Sequence, residues 1–435
     1  MLLHLLFGLS VAVGLSAAER GLPFNFPFSQ TPTRFNIRVD SELVDFAKNR
    51  AASYRPSYGI SDEWTNEGPP AASMAELSTF WAEHYNWSEV EDRMNKRDHF
   101  SVVIPGAAGY PGDIPIHFVH HRSLNDSAIP LLLLHGWSST HLEWDKIIDP
   151  LAQFFHLITP DLPGYGFSPA PTESGMDART MGAAYDVLMK ELGYGTYGVV
   201  GTDIGYFVSS WMMSDVPDSI IGHFLDFMLL PPTQDDIDRY SGNQTTPEEN
   251  AYLGSFTAFE SDHFAYSTVQ AQKPLALSLS MGDSPVGFAG WLWDLKYAGS
   301  DGYQYTMDEL ITEAFTLWVQ APYGAMRSYL ETLSPQSGGV DFPSYKVPTG
   351  LVQWGNQHGP FPELASFPLA VRDTSRAQPP VIDMEINILT HSLDHGQSVR
   401  QPTWFISSDM PLEGTFRLKV IGTYMLRICE SSLIV

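Results

Sequence analysis

Tyr197-Gly198-Val199-Val200-Gly201-Thr202-Asp203-Ile204-Gly205 is the stretch whose reading decides the architecture of this chain. A short apolar run enters a G-x-x-x-G turn, and an amphipathic stretch from Tyr206 to Met213 leaves it. Strand, tight turn and helix in that order describe a nucleophile elbow. The glycines suit a strained turn whose flanking backbone leaves no room for side chains. The residue at the apex is a carboxylate, not a serine. A carboxylate nucleophile forms an ester with an alkyl carbon, so the chemistry points to epoxides or alkyl halides rather than acyl groups. Alone, the pattern fits an ordinary β-turn equally well; the surrounding sequence has to decide.

Upstream, Ile129 to Leu134 and Phe154 to Thr159 are continuous apolar runs of the kind found in strands buried on both faces. Met181 to Leu192 has helical periodicity, and Gly222 to Leu230 holds a further strand. Alternating strand and helix predicts a doubly wound, mostly parallel α/β sheet. Residues 23–40 read as extended. Asp40 is placed to cap a helix from Ser41 to Arg50, and a second helix is expected over Met74–Trp87. Phe100–Ile104 and Ile114–His120 read as strands joined by the Gly/Pro turn Gly106–Gly112. From Pro231 to about Gly339 the pattern is helical and aromatic-rich, an insertion between two sheet strands. Leu351–Trp354 and Ile386–Leu389 resume the sheet. The divisions expected are an N-terminal segment 1–18, a module 19–98, a first core part 99–230, a helical cap 231–340, a second core part 341–396 and an atypical tail 397–435.

The chain has 435 residues, 43% of them hydrophobic, enough for one large domain with an insertion. A net charge of −26 argues against nucleic acid or an anionic membrane surface as partner. The single cysteine, Cys429, rules out an intrachain disulfide. Leu2–Leu15 is apolar and Ser16-Ala17-Ala18 precedes Glu19, the layout of a cleaved signal peptide, although the leading segment has only His4 in place of a cation. An uncleaved anchor is the alternative, and the run is short of the ~20 residues a span needs. The sequons at Asn86, Asn125 and Asn243 agree with secretory entry.

Two further segments converge on the elbow. His135-Gly136-Trp137-Ser138 follows the first buried strand, where a turn can aim backbone N–H groups at a developing oxyanion. The N–H groups of Trp137 and Ile204 would form such a hole. Asp161-Leu162-Pro163-Gly164-Tyr165-Gly166-Phe167-Ser168 follows the second run as a tight loop at the same sheet edge, where open α/β folds bind ligands.

With these residues in order, the chain resembles the microsomal type of epoxide hydrolase, within the α/β-hydrolase superfamily. Phe35-Asn36-Ile37 and the aromatic group Phe80-Trp81 to Tyr85-Asn86-Trp87 are similar to that family's N-terminal module. Ile116 to His120, Lys273-Pro274, Asp283-Ser284-Pro285-Val286-Gly287 and Val347-Pro348-Thr349-Gly350 fall in its order too, so that the resemblance spans about residues 22 to 365. It implies an α/β-hydrolase fold with a helical cap, and Asp203 as nucleophile. Tyr266, before Lys273-Pro274, and Tyr329, in Met326-Arg327-Ser328-Tyr329, would hold the epoxide oxygen. A phenol with a pKa near ~10 can donate there without being ionised. The family's water-activating histidine lies in a Gly-Gly-His-Phe motif that this chain lacks; His395, in Asp394-His395-Gly396, is the nearest remnant, and Glu363, in Phe361-Pro362-Glu363-Leu364, matches the orienting acid, with Asp373 and Asp383 as alternatives. Ser138 replaces a common proline, which is expected to loosen the oxyanion turn.

The expected function is hydrolysis of a small apolar epoxide to a vicinal diol by water through an ester on Asp203, impaired if the altered tail has lost the base. No cofactor or metal is expected. Two other readings stay open. A haloalkane dehalogenase would need indole donors such as Trp137, Trp291 or Trp293, and a non-catalytic relic would bind an apolar ligand without forming an adduct.

Overall fold

The computed structural model describes residues 21–225, 232–300, 303–333, 347–354 and 388–391. At its centre is a nine-stranded sheet in the order β1-β2-β3-β5-β4-β6-β7-β8-β9. Its strands are β1 (Thr33–Arg34), β2 (His99–Pro105), β3 (Asp113–His121), β4 (Ile129–Leu134), β5 (Phe155–Pro160), β6 (Tyr197–Gly201), β7 (Ile220–Leu225), β8 (Thr349–Trp354) and β9 (Ile388–His391). β1, β2, β3 and β5 pair antiparallel, and β5-β4-β6-β7-β8-β9 run parallel. The chain has the α/β-hydrolase fold, and the sheet is mostly parallel, as its sequence predicts. Leu131 to Leu134 are almost wholly buried because the parallel strands are covered on both faces.

The helices divide by position. α1 (Ser41–Ala52), α2 (Ala71–Glu83) and α3 (Trp87–Met94) precede the sheet. α4 (Asp145–Leu151), α5 (Ala178–Glu191) and α6 (Asp203–Asp215) alternate with strands. Between β7 and β8 come α7 (Gln234–Ser241), α8 (Pro247–Asp262), α9 (Ala265–Gln272), α10 (Pro274–Met281), α11 (Pro285–Gly299), α12 (Met307–Trp318) and α13 (Tyr323–Leu333). Among the described residues no helix is long and apolar enough to cross a membrane.

Two local readings change. The helix expected over Met74–Trp87 is two helices: α2 stops at Glu83, and Asn86 starts α3 by accepting the Ser88 N–H. The break turns Tyr85 and Trp87 inward, where Trp87 packs edge-on against Phe315 at 4.6 Å and the Tyr85 hydroxyl meets Thr312 Oγ1 at 3.0 Å. Asp40 precedes α1 but makes no side-chain cap bond.

The N-terminal module therefore joins the other layers. Its helices grip cap helix α12, while Phe24 and Phe35 pack against Phe167 at 5.4 and 5.8 Å and stiffen the loop after β5.

Candidate active site

The turn between β6 and α6 is built as tightly as its glycines suggest. A side chain on Gly201 would lie 2.4 Å from the Gly205 carbonyl, and one on Gly205 would lie 2.2 Å from the Leu134 carbonyl. Asp203 has φ +43, a left-handed conformation that non-glycine residues adopt only when their surroundings compel it. The turn thereby presents the carboxylate at the N-terminus of α6, where the helix dipole favours negative charge.

Asp203 Oδ1 accepts the Trp137 backbone N–H at 2.7 Å, and the Ile204 N–H also donates to the carboxylate. Burial raises the Asp203 pKa above its ordinary value, and these two N–H groups oppose the rise. Gly136 is what lets the turns meet: a side chain there would lie 2.4 Å from Asp203 Oδ1. Ser138 has φ +68, which proline, fixed near −65°, cannot adopt. With Ser138 in place of proline, the Trp137 N–H is aimed at the carboxylate.

Tyr266 on α9 and Tyr329 on α13 come together across the cap, ring centroids 5.7 Å apart and edge to face. Trp137 packs edge-on against Tyr329 at 5.9 Å and against Phe288 at 6.4 Å. Burial and then the nearby Asp203 charge raise both phenols, so both remain neutral donors at neutral pH. Among the described residues the buried Tyr329 hydroxyl has no hydrogen bond of good geometry; Tyr266 is the side chain that interacts with it.

Three residues at this site went unread as functional in the sequence. Tyr165 is fully buried, with its hydroxyl 2.7 Å from Ser328 Oγ. Ser328 in turn donates to the Ala325 carbonyl at 2.7 Å, so Tyr165 is the donor of the pair. The loop after β5 thus holds α13, aided by Gln320, which donates to the Gly166 and Ser168 carbonyls and accepts from the Ala170 N–H. Thr202 and Glu143 are the second and third, joined by a 2.6 Å hydrogen bond beside the Asp203 turn. The quoted loop contained Tyr165 and the quoted elbow contained Thr202; nothing in the sequence paired them with Ser328 or Glu143.

Asp161, His117 and His141 lie close enough to suggest a metal site. The hydrogen bonds account for them otherwise. Asp161 accepts from His117 Nδ1 at 2.7 Å, His141 Nδ1 at 2.9 Å, the His141 N–H at 2.7 Å and the Phe167 N–H at 2.9 Å. Four donors fill a carboxylate's acceptor positions. His99 Nε2 must donate to the Met94 carbonyl, leaving its Nδ1 to face His117 Nε2 at 2.9 Å. Burial, first of all, lowers the pKa of both His99 and His117. His135 Nε2 accepts the Leu162 N–H at 3.0 Å, and burial first of all lowers its pKa to about 4, so the ring is neutral.

The Trp291 indole donates to Gln270 at 3.2 Å, and Trp293 packs on Trp64 at 5.4 Å. Glu363, His395, Asp373 and Asp383 lie outside the described residues, as does the tail 397–435.

Comparison with known proteins follows this geometry. A family model described as the epoxide hydrolase N terminus matches residues 32–144, and one described as the alpha/beta hydrolase fold matches residues 129–226. A Stigmatella aurantiaca protein provisionally assigned as an epoxide hydrolase is 30% identical over 330 residues, 72% of each chain. Juvenile hormone epoxide hydrolase 1 of Ctenocephalides felis is 28% identical over 348 residues, again 72% of each. The crystal structure of juvenile hormone epoxide hydrolase from Bombyx mori is similar with a TM-score of 0.69, covering 91% of this chain and 95% of that one at 23% identity, a likeness of fold.

Proposed function

The chain belongs to the epoxide hydrolase family, of the microsomal type, and on that premise we propose that it converts a small apolar epoxide to a vicinal diol through an ester on Asp203. The observation that carries the reading is the Asp203 carboxylate, held at Oδ1 by the Trp137 N–H with the Tyr266–Tyr329 pair nearby.

Asp203 Oδ2 attacks the less hindered ring carbon, a C–O bond forms, and the ring C–O bond breaks. Tyr266 and Tyr329 donate to the oxygen as it becomes an alkoxide, and one phenol proton neutralises it. Water then adds to the ester carbonyl carbon. Oδ1 becomes the oxyanion and already faces the Trp137 and Ile204 N–H groups. A base removes one water proton and returns it to the departing diol oxygen; the second water proton passes from the new carboxyl group to the phenolate, which restores both the Asp203 carboxylate and the phenol. The resemblance assigns the base to His395 and its orienting acid to Glu363. The absence of a Gly-Gly-His-Phe motif supports a slow second half-reaction.

The dehalogenase reading loses support, since the Trp291 indole is bonded to Gln270. For location we propose the secretory route, supported by the apolar start of the chain and by exposed sequon asparagines at 86, 125 and 243.

The test is intact-protein mass spectrometry with styrene oxide, assaying diol in the same tube. An adduct on Asp203 that gives way to diol is expected. A standing adduct without diol would place the defect in the base. Diol production that survives Asp203→Ala would overturn the reading.

A further inference from the structure

Glu143 sits on a single turn of 3-10 helix, His141–Trp144, that follows β4 and its oxyanion turn. Its Oε1 lies 2.6 Å from Thr202 Oγ1, a length typical of a hydroxyl donating to an ionised carboxylate. The same hydroxyl oxygen lies 3.3 Å from the Leu134 carbonyl. One hydroxyl proton cannot serve both acceptors. With Glu143 ionised, Thr202 donates to it. With Glu143 protonated, the acid proton is donated to Thr202 Oγ1, and the hydroxyl proton is free to turn to Leu134.

The Leu134 carbonyl is no bystander. It already accepts the Thr202 N–H at 3.0 Å, and Gly205 packs directly against it. The chain then runs straight into His135-Gly136-Trp137, which carries the N–H held on Asp203. A second hydrogen bond on this carbonyl would act on the junction of the nucleophile and oxyanion turns.

We propose that Glu143 is a positioning residue for the nucleophile, acting through the Thr202 hydroxyl: ionised, it holds the turn in the arrangement seen here, and protonated, it shifts the hydroxyl towards Leu134. The proposal rests on the reading of Asp203 as nucleophile. The groups facing Glu143 are Asp203, Ser139 and Lys296 of α11, the last paired with Glu313 of α12. Burial, chiefly, pushes the Glu143 carboxyl up to about 7, with Thr202, Lys296 and Ser139 opposing it. The exchange therefore falls near neutral pH.

The experiment follows the first half-reaction alone, by rapid quench and mass of the Asp203 adduct with styrene oxide between pH 5.5 and 8.5. This step precedes any action of the water-activating base. The wild-type rate is expected to rise about five-fold through a midpoint near 7, the size of one rearranged hydrogen bond. Glu143→Gln and Thr202→Val should lose the inflection, and Thr202→Ser should keep it. Thermal melts establish that each variant is folded, and the two Thr202 variants carry the test if Glu143→Gln does not fold. An inflection that persists in folded Glu143→Gln or Thr202→Val overturns the proposal, as does an equal loss of rate at every pH. Wild type that forms no adduct at any pH fails at the earlier step, and the nucleophile reading falls with the proposal.

Discussion

Asp161 and Asp203 stand just beyond the ends of β5 and β6, the parallel strands on either side of β4, and the protein treats them in opposite ways. Burial pushes both carboxyls up. At Asp161, His141 and His117 and their hydrogen bonds reverse the push and hold the group well below its ordinary 3.8. At Asp203 the only opposing groups among the described residues are the backbone N–H groups of Trp137 and Ile204, and the pKa stays raised. Asp161 is saturated, and its own φ is not positive; the left-handed positions of its loop fall on Gly164 and Gly166. Asp203 is under-donated and held at a strained φ of +43. The number of described donors, not burial, separates the two carboxyls.

The comparison breaks most decisively at Asp203, the proposed nucleophile. Asp203→Asn should abolish adduct formation, lowering diol production by on the order of 10⁴ or more, as read by product analysis and intact mass. It should also raise stability at neutral pH. A raised folded-state pKa means that stability declines as pH rises through 3.8, and the asparagine escapes that decline. Retained turnover would put the chemistry elsewhere.

Asp161→Asn should do the reverse. It strips the charge that the buried imidazoles face and should cost about 3–5 kcal/mol, as for breaking a buried pair, measured by denaturant unfolding at pH 7. The sign of its pH dependence is also opposite. The wild-type advantage is present above pH 3.8 and is lost as pH falls through the lower folded-state value, so the two proteins should converge in acid. A neutral effect at pH 7 would mean that the four donors do not fix this group.

The tyrosines sharpen the contrast from the substrate side. Tyr266→Phe and Tyr329→Phe should each lower the rate of adduct formation by roughly 10²-fold, with stability little changed, in single-turnover assays. The smallest effect is expected at Ser328→Ala. It removes the acceptor of the Tyr165 hydroxyl and should cost ~1–2 kcal/mol, with a few-fold loss of rate, showing whether the Asp161 loop reaches the chemistry through α13.

Much of this arrangement is legible in the residues. Glycine at 201 and 205 around a carboxylate, with an apolar run before and an amphipathic run after, describes β6, the elbow and α6, because local sterics fix a strained turn. His135-Gly136-Trp137 at the end of β4 points to the second N–H donor for the same reason. Tyr266 and Tyr329 required the family resemblance, since nothing local distinguishes them from packing tyrosines. The break at Asn86 was not legible: the aromatics from Phe80 to Trp87 suit one helix, and only burial of Trp87 against Phe315 of the cap requires two. His395 and Glu363 remain assignments from resemblance.

The sequence by itself determined which backbone turns could exist and what kind of nucleophile they would present, because hydrophobic period and glycine sterics act within a few residues. Only the tertiary structure decided what surrounds each carboxylate. The donors to Asp161 come from β3, from the turn after β4 and from its own loop, and the partner of Thr202 comes from a residue 59 positions away. Hydrogen bonds of that range depend on the order in which strands lie in the sheet, and that order decides which aspartate is held by imidazoles and which by backbone N–H groups alone among the described residues.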